Sequence, residues 1–154
     1  MTVLTKLASV PVGIVLLLLL SPVPLAEEAP EDPRILVEMP PLQQYLLRQE
    51  MISHTAALHR IIGRLAEKEF ETAAEVAEKE LGLSTMGKHA ARTAGQGPGR
   101  FMPAPMRSMG IGMHRAASDF AAVAKTGDLE AALTSLEAVT SACVSCHASY
   151  RLAR

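Results

Sequence analysis

Apolar side chains recur at alternating intervals of four and three residues in separate segments of the chain, and this spacing constrains the fold more than any other feature. The first stripe comprises Leu47, Met51, His54, Leu58, Ile61 and Leu65. Residues at such intervals lie on one face of an α-helix. Pro40 and Pro41 suit its first turn, because no amide donor is needed there. The pattern therefore predicts a helix from these prolines to about Lys68.

Three further segments show the same periodicity. A shorter stripe, which ends before Gly82, comprises Phe70, Ala74, Ala77 and Leu81. The next comprises Met102, Met106, Met109, Met113, Ala116, Phe120 and Val123. The last comprises Leu129, Ala132, Leu136, Val139, Cys143 and Cys146. We expect Thr126 and Gly127 to end the third helix, and Asp128 is a good N-cap for the fourth.

Residues 83–100 interrupt the pattern with four glycines and one proline, which predicts a mobile connector between the second and third helices. No segment alternates apolar and polar residues as a strand would. We therefore predict an all-α protein, an antiparallel four-helix bundle with this connector as its longest loop. Such a bundle does not by itself define a function.

The N-terminal residues have the organisation of an export signal. Lys6 gives a positive start, residues 7–20 form an apolar stretch, and a region of small residues ends at Ala26. The fourteen residues of that stretch are fewer than a membrane-spanning helix needs. Because Pro24 is poorly suited to a cleavage site, an uncleaved anchor is the alternative. We expect a signal peptide at residues 1–26, a mature domain at 27–154 and a periplasmic location.

Composition excludes several functions. A net charge of −1 with dispersed basic residues gives no general attraction for nucleic acid. No Ser/His/Asp set, phosphate-binding loop or pair of carboxylates occurs in a catalytic arrangement, so we do not expect an enzyme. Aromatic residues make up 3% of the chain and Trp is absent, so another group has to supply bulk to the core.

The only two cysteines of the chain, Cys143 and Cys146, are followed at once by His147. Positions i, i+3 and i+4 share one side of a helix, so the three side chains face one object. Two thiols can add across haem vinyl groups while the imidazole reaches the iron, which is the chemistry of c-type attachment. The motif therefore predicts one covalently attached haem c.

Other uses of a cysteine pair fit the sequence less well. A structural zinc needs four ligands, and no second cysteine pair exists. A thioredoxin-like pair would begin a helix after a strand. A disulfide between positions i and i+3 of a helix is strained. Two unrelated core cysteines are the plain alternative.

The stretch CVSCHASYR near the C-terminus resembles the C-x-x-C-H-x-x-Y-R signature of class II cytochromes c, the cytochrome c prime family. The resemblance implies a four-helix bundle with haem on its last helix. It implies that Cys143 and Cys146 are thioether attachments and that His147 is the proximal iron ligand. It places Tyr150 and Arg151 near the proximal haem face. There Arg151 meets a propionate or borders the pocket, and a solvated arginine in the last helical turn is the alternative.

The sixth iron ligand has to come from upstream, since only seven residues follow His147. In the resembling family, a methionine on the first helix is typical of six-coordinate electron carriers. An apolar residue there is typical of five-coordinate members that bind nitric oxide or carbon monoxide. Met51 lies on the inward stripe, three residues after Arg48, where the family more often has a separation of four, so Ile52 is an alternative occupant. Competing ligands are His54 and His114, and an open site is the remaining alternative.

The methionine stripe of the third helix permits a different interpretation. Its thioethers are those of Met102, Met106, Met109 and Met113. Together with His89 or His114 they could bind Cu(I). At this spacing, however, we expect the four side chains inside the bundle, where methionine packs well around a flat macrocycle. We expect His59 and His89 to be exposed.

Three functions are therefore open. An electron carrier that meets redox partner proteins is favoured, a protein that binds a small gas is the second, and a copper-handling protein is the third. The resembling family commonly dimerises through its first two helices, so a homodimer is an expectation here. Tyr45 and Phe70 could serve that interface or could be buried within one subunit.

Overall fold

The computed structural model describes residues 30–153, and its helices and strands lie in one compact unit that begins at Pro33. The predicted signal peptide, residues 1–26, lies outside the described residues. The helices are α1 (Pro41–Ala66), α2 (Phe70–Glu80), the single-turn α3 (Ala90–Thr93), α4 (Ala104–Ala124) and α5 (Leu129–Ser149). The prediction of a mainly helical protein with four long helices is confirmed.

The helix ends follow the local sequence signals. α1 and α4 each begin with proline in the first turn. The Asp128 carboxylate caps α5 by accepting a hydrogen bond from the Ala131 amide at 3.1 Å. Just before it, Gly127 has a φ of 77°, a left-handed conformation that glycine adopts without a steric penalty. These signals fix the sharp link between α4 and α5.

The main core cluster lies between the four long helices. Its buried members are Ala57, Ile61, Leu65, Ala73, Ala74, Ala77, Leu81, Met113, Ala117, Phe120, Ala121, Ala124, Ala132, Leu136 and Val139. Each predicted stripe contributes to this set. Leu129 was predicted to face inward, but it is exposed because it lies in the first turn of α5, at the end of the packed region.

A second, sulfur-rich cluster packs near the ends of α1 and α5. Its buried residues are Val37, Leu47, Met106 and Tyr150. Partly buried side chains packed against them are Met39, Met51, Met102, Met109, Cys146 and Leu152. The methionine stripe therefore divides: Met113 belongs to the main core cluster, and the others belong to the sulfur-rich cluster.

Two short strands were not predicted. β1 (Ile35–Val37) and β2 (Tyr150–Leu152) pair in parallel, with Ile35 opposite Tyr150. Three-residue strands are too short to show a periodic pattern, so periodicity could not predict them. α5 ends at Ser149, so Tyr150 and Arg151 of the family signature lie in β2, beyond the last helix. Arg151 is consequently not a last-turn arginine.

The connector is more regular than its glycine content suggested. It contains two short 3₁₀ turns, Leu83–Thr85 and Pro98–Arg100, on either side of α3. The backbone takes positive φ at Gly87 and Gly95, where a side chain would be strained. The glycines thus serve turns within a packed segment that runs from α2 to α4. Within residues 30–153, no helix has both the length and the apolarity to cross a bilayer.

Candidate functional site

A cleft of about 400 Å³ opens beside the sulfur-rich cluster, where α1, α4, the end of α5 and β2 come together. It is lined by Arg34, Leu47, Arg48, Met51, Met102, Met106, Gly110, Cys146, His147, Tyr150, Arg151 and Leu152. This set combines an imidazole, a thiol, three thioethers and three guanidinium groups. We call it the sulfur-lined cleft.

The C-x-x-C-H segment lies in the last two turns of α5, where the helix carries its side chains to the cleft. Cys146 and His147 line the cleft. Cys143, one turn earlier, is partly buried against the main core cluster. Both cysteines are free thiols, and His147 is exposed. The segment therefore joins the main core to the cleft, with its imidazole accessible.

Burial changes the acidity of both thiols. It raises the pKa of Cys143, and it raises the pKa of Cys146 with a further contribution from the neighbouring Cys143. Reactive redox pairs depend on a thiol whose pKa is lowered. The electrostatics of the cysteine pair therefore argue against a thioredoxin-like use.

The opposite wall of the cleft presents methionine from α1. Met51 lines the cleft and packs in the sulfur-rich cluster. Its neighbour Ile52, the alternative occupant, is 63% exposed and does not line the cleft. Leu47, one turn before Met51, is buried and completes this wall.

Two further methionines line the same cleft, and the sequence had suggested them only as core residues around a macrocycle or as part of a Cu(I) site. Met102 and Met106 were interpreted as core residues, and Met106 is indeed only 7% exposed. Both nevertheless contribute to the cleft wall. The signal that could have found them was their position at the start of α4, at the same end of the protein as Met51.

The two competing histidines pair with one another outside the cleft. The rings of His54 and His114 meet edge to face, with centroids 5.9 Å apart. His114 Nδ1 is 2.7 Å from the Leu81 carbonyl oxygen, which can only accept, so Nδ1 donates. Burial and the positive charge of Lys88 lower the pKa of His54 to about 4, although Glu50 acts in the opposite direction. Neither histidine lines the sulfur-lined cleft.

Three arginines surround the cleft and tie together distant parts of the chain. Arg34 Nη1 donates to the His147 carbonyl oxygen at 3.4 Å, and Arg151 Nε donates to the Arg34 carbonyl oxygen at 3.3 Å. Arg48 on α1 donates to the Ala153 carbonyl oxygen. Neither Arg34 nor Arg48 was predicted to have a binding role. Arg48 reaches the cleft on α1, whereas Arg34 directly precedes β1, whose pairing with β2 brings it there.

The remaining two of the histidines discussed as candidates or competitors, His59 and His89, differ in their exposure. His59 is exposed, as predicted. His89 was predicted to be exposed, but its side chain is only 17% accessible, because the connector packs it against α1. Its Nε2 lies 3.0 Å from Glu50 Oε1, within ion-pair distance but without hydrogen-bond alignment. In the described part of the chain, no three His, Cys, Asp or Glu side chains are arranged to hold one metal ion.

A helical protein whose last long helix carries C-x-x-C-H into a sulfur-lined cleft has the residues of a c-type haem protein. Comparison with protein families gives a more particular result: the family Cytochrome C' matches residues 104–151. The matched region covers α4 and α5 and does not include α1, where Met51 lies. The match supports an assignment to the class II cytochromes c, of the cytochrome c prime type. It confirms the resemblance drawn from the motif. Comparisons with curated proteins and with solved structures gave no match.

Proposed function

We propose that the chain is an exported c-type haem protein that carries electrons between redox partner proteins in the periplasm. One haem would be attached through Cys143 and Cys146, with His147 as the proximal iron ligand. The two short links, between α1 and α2 and between α4 and α5, favour an antiparallel bundle. We do not propose an enzymatic activity.

The observation that carries this proposal is the composition of the sulfur-lined cleft. Cys146 and His147 occupy one wall and Met51 lines another. Two free thiols at i and i+3 with an adjacent imidazole are the donor set of c-type attachment. The residues present therefore fit a haem.

Bound haem would supply one-electron chemistry between the ferric and ferrous states of its iron. The chain's own residues would then have distinct tasks. His147 offers an imidazole nitrogen to the metal. Leu47 and Met106 are buried and exclude water from the inner end of the cleft. Arg34, Arg48 and Arg151 place positive charge at the cleft, where a propionate carboxylate would be stabilised.

We infer that Met51 is the sixth ligand. A thioether opposite a histidine is a common axial pair and raises the reduction potential. Met51 lines the cleft, whereas Ile52 is exposed and His54 and His114 lie elsewhere. This ligand set favours electron transfer over gas binding.

Gas binding at a five-coordinate iron is the second candidate, and one observation favours it. Gly110 lines the cleft, and apart from its chain neighbours and the adjacent backbone of α4, no atom lies within 4 Å of the position that a Cβ would occupy there. A small diatomic ligand would fit such a space. We do not propose copper handling, because Met106 and Met113 are each only 7% exposed.

Absorption spectroscopy and mass measurement of the purified exported protein test the proposal. We expect a mass above that of the chain by one haem, a low-spin ferric spectrum with the long-wavelength band of methionine ligation, and reversible reduction. A high-spin spectrum that shifts on addition of carbon monoxide would favour the gas-binding candidate. A colourless protein with the mass of the bare chain would overturn both.

A further inference from the structure

A second cavity, of about 320 Å³, lies where the connector faces α1 and α4. We call it the connector cavity. It is distinct from the sulfur-lined cleft, but Met102 and Gly110 line both. None of the C-x-x-C-H residues lines it, so the proposed haem attachment leaves this cavity without a role.

The charged side chains that line the connector cavity are mostly basic. Lys88, Arg100 and Arg107 contribute three cations, and Glu50 is the one carboxylate among its lining residues. Glu50 Oε1 already lies 3.3 Å from Lys88 Nζ. The positive charge of the two arginines is therefore not balanced by an acid in the cavity.

The two guanidinium groups are also free to bind. Arg100 and Arg107 form no side-chain hydrogen bond or ion pair with the other described residues, whereas Arg60 and Arg64 are paired with glutamates. A guanidinium group presents several N–H donors in a plane, an arrangement that matches a carboxylate. Two such groups at one cavity offer donors that suit an anion.

A histidine also engages the one carboxylate of the cavity. His89 lines the connector cavity, and its buried Nε2 atom lies 3.0 Å from Glu50 Oε1, within ion-pair distance. The Glu50 carboxylate is therefore shared between Lys88 and His89. Among the described residues, it forms no ion pair with Arg100 or Arg107.

The apolar walls of the connector cavity indicate that its ligand also has an apolar part. Met86, Pro98, Met102 and Ile111 supply apolar surface. A strongly hydrated inorganic anion gains little from such surface, whereas an apolar group gains free energy when it leaves water. The cavity thus combines donors for a carboxylate with walls for a hydrocarbon.

We propose that the connector cavity binds a small organic carboxylate with an apolar body, held through its carboxylate by Arg100 and Arg107. The proposal does not depend on haem attachment, because no residue of the attachment motif takes part. Its position beside Met102 and Gly110 places the carboxylate next to the sulfur-lined cleft.

Calorimetric titration of the purified protein with benzoate tests this proposal. Benzyl alcohol, which has the same ring without the charge, and sulfate, an anion without a ring, are the comparison ligands. We expect saturable binding of benzoate and much weaker binding of the other two. Arg100→Gln and Arg107→Gln should each weaken benzoate binding by about tenfold, because each removes a charge-assisted hydrogen bond.

Arg115→Gln is the matched control, since Arg115 is exposed on α4, outside the cavity lining, and its loss changes the net charge equally. It should leave benzoate affinity unchanged. Circular dichroism should show equal helix content in all variants, because the three arginines are exposed. Absence of benzoate binding, equal loss in Arg115→Gln, or equally tight binding of sulfate or benzyl alcohol would each overturn the proposal.

Discussion

Met51 and Ile52 are adjacent in the chain yet lie in different surroundings. Met51 packs in the sulfur-rich cluster, whereas Ile52 is 63% exposed. One residue along an α-helix turns the side chain by about 100°. A shift of one position therefore decides whether a thioether or a hydrocarbon faces the sulfur-lined cleft.

Replacing Met51 tests the proposed sixth ligand. Met51→Ala should convert a low-spin protein into a high-spin one, because alanine offers no sulfur to the iron. Ile52→Ala is the matched control and should leave the spectrum unchanged. Ferric absorption spectra of the two variants provide the measurement. If Met51→Ala kept the low-spin spectrum, the ligand would have to be another group, and Met102 and Met106 would be the next variants.

Replacing His147 tests the proximal assignment. His147→Ala should retain covalently attached haem, because both cysteines remain, but its absorption spectrum should change as the imidazole is lost. His59→Ala removes an exposed histidine of α1 and should have no spectral effect. Identical spectra for His147→Ala and the unmodified protein would show that the proximal assignment is wrong.

At the scale of elements, the edge-to-face contact between His54 and His114 joins α1 to α4. Burial and Lys88 hold the pKa of His54 near 4 in the folded protein, with His114 acting in the same direction and Glu50 opposing it. In the unfolded chain, His54 has its ordinary pKa of 6.5. Protonation therefore favours unfolding between these two pH values.

We expect the contribution of His54 to the free energy of unfolding to be fully present above about pH 6.5. It should be lost as the pH drops towards 4. The loss due to His54 should be about 2 kcal/mol, after allowance for its partial exposure. Urea denaturation at several pH values measures it. His54→Gln should reduce this pH dependence, and His59→Gln should not. Equal slopes for both variants would contradict the assignment.

The start of α5 depends on a single cap. Asp128→Ala removes the carboxylate that accepts from the Ala131 amide, so it should lower stability by about 1 kcal/mol. Asp119→Ala, at an exposed interior position of α4, is the control and should be neutral or slightly stabilising. Thermal unfolding measures both. An unchanged midpoint for Asp128→Ala would mean that the cap contributes nothing.

Helix periodicity allowed the four long helices to be predicted, since each stripe runs over several turns. The ends were also predictable, because Pro41, Gly127 and Asp128 act through local backbone geometry. The strands were not, because pairing of three residues with a segment more than 100 positions away leaves no periodic pattern. The alternative of a last-turn position for Arg151 was wrong for the same reason.

At the scale of the whole molecule, the cysteine pair connects two apolar regions. Cys143 packs against the main core cluster and Cys146 against the sulfur-rich cluster. A group attached to both sulfur atoms would contact both clusters. The chain has few aromatic residues, so such a group would be its largest apolar body.

The double variant Cys143→Ala, Cys146→Ala should therefore lose covalent haem and unfold at a lower temperature, because a ligand that binds only the folded state stabilises it. Val144→Ala, an exposed position within the motif, is the control and should keep both properties. Intact mass and thermal unfolding report the two effects. Retention of haem mass by the double variant would exclude thioether attachment at these residues.

The candidate site was predictable only where its residues are close in sequence. Cys143, Cys146 and His147 follow from spacing alone. The role of Met102 in the cleft, and that of Arg34, depends on packing between elements that are far apart in the chain. The sequence indicated the chemistry of the site, whereas the tertiary contacts determine which other side chains share it.

The parallel pairing of β1 with β2 also has a consequence for the order of folding. It joins residue 35 to residue 150, so it closes almost the full length of the domain and carries the entropy cost of a very long loop. Contacts of that span form late in folding. The helices would thus pack first, and the paired strands would then tie residue 35 to residue 150.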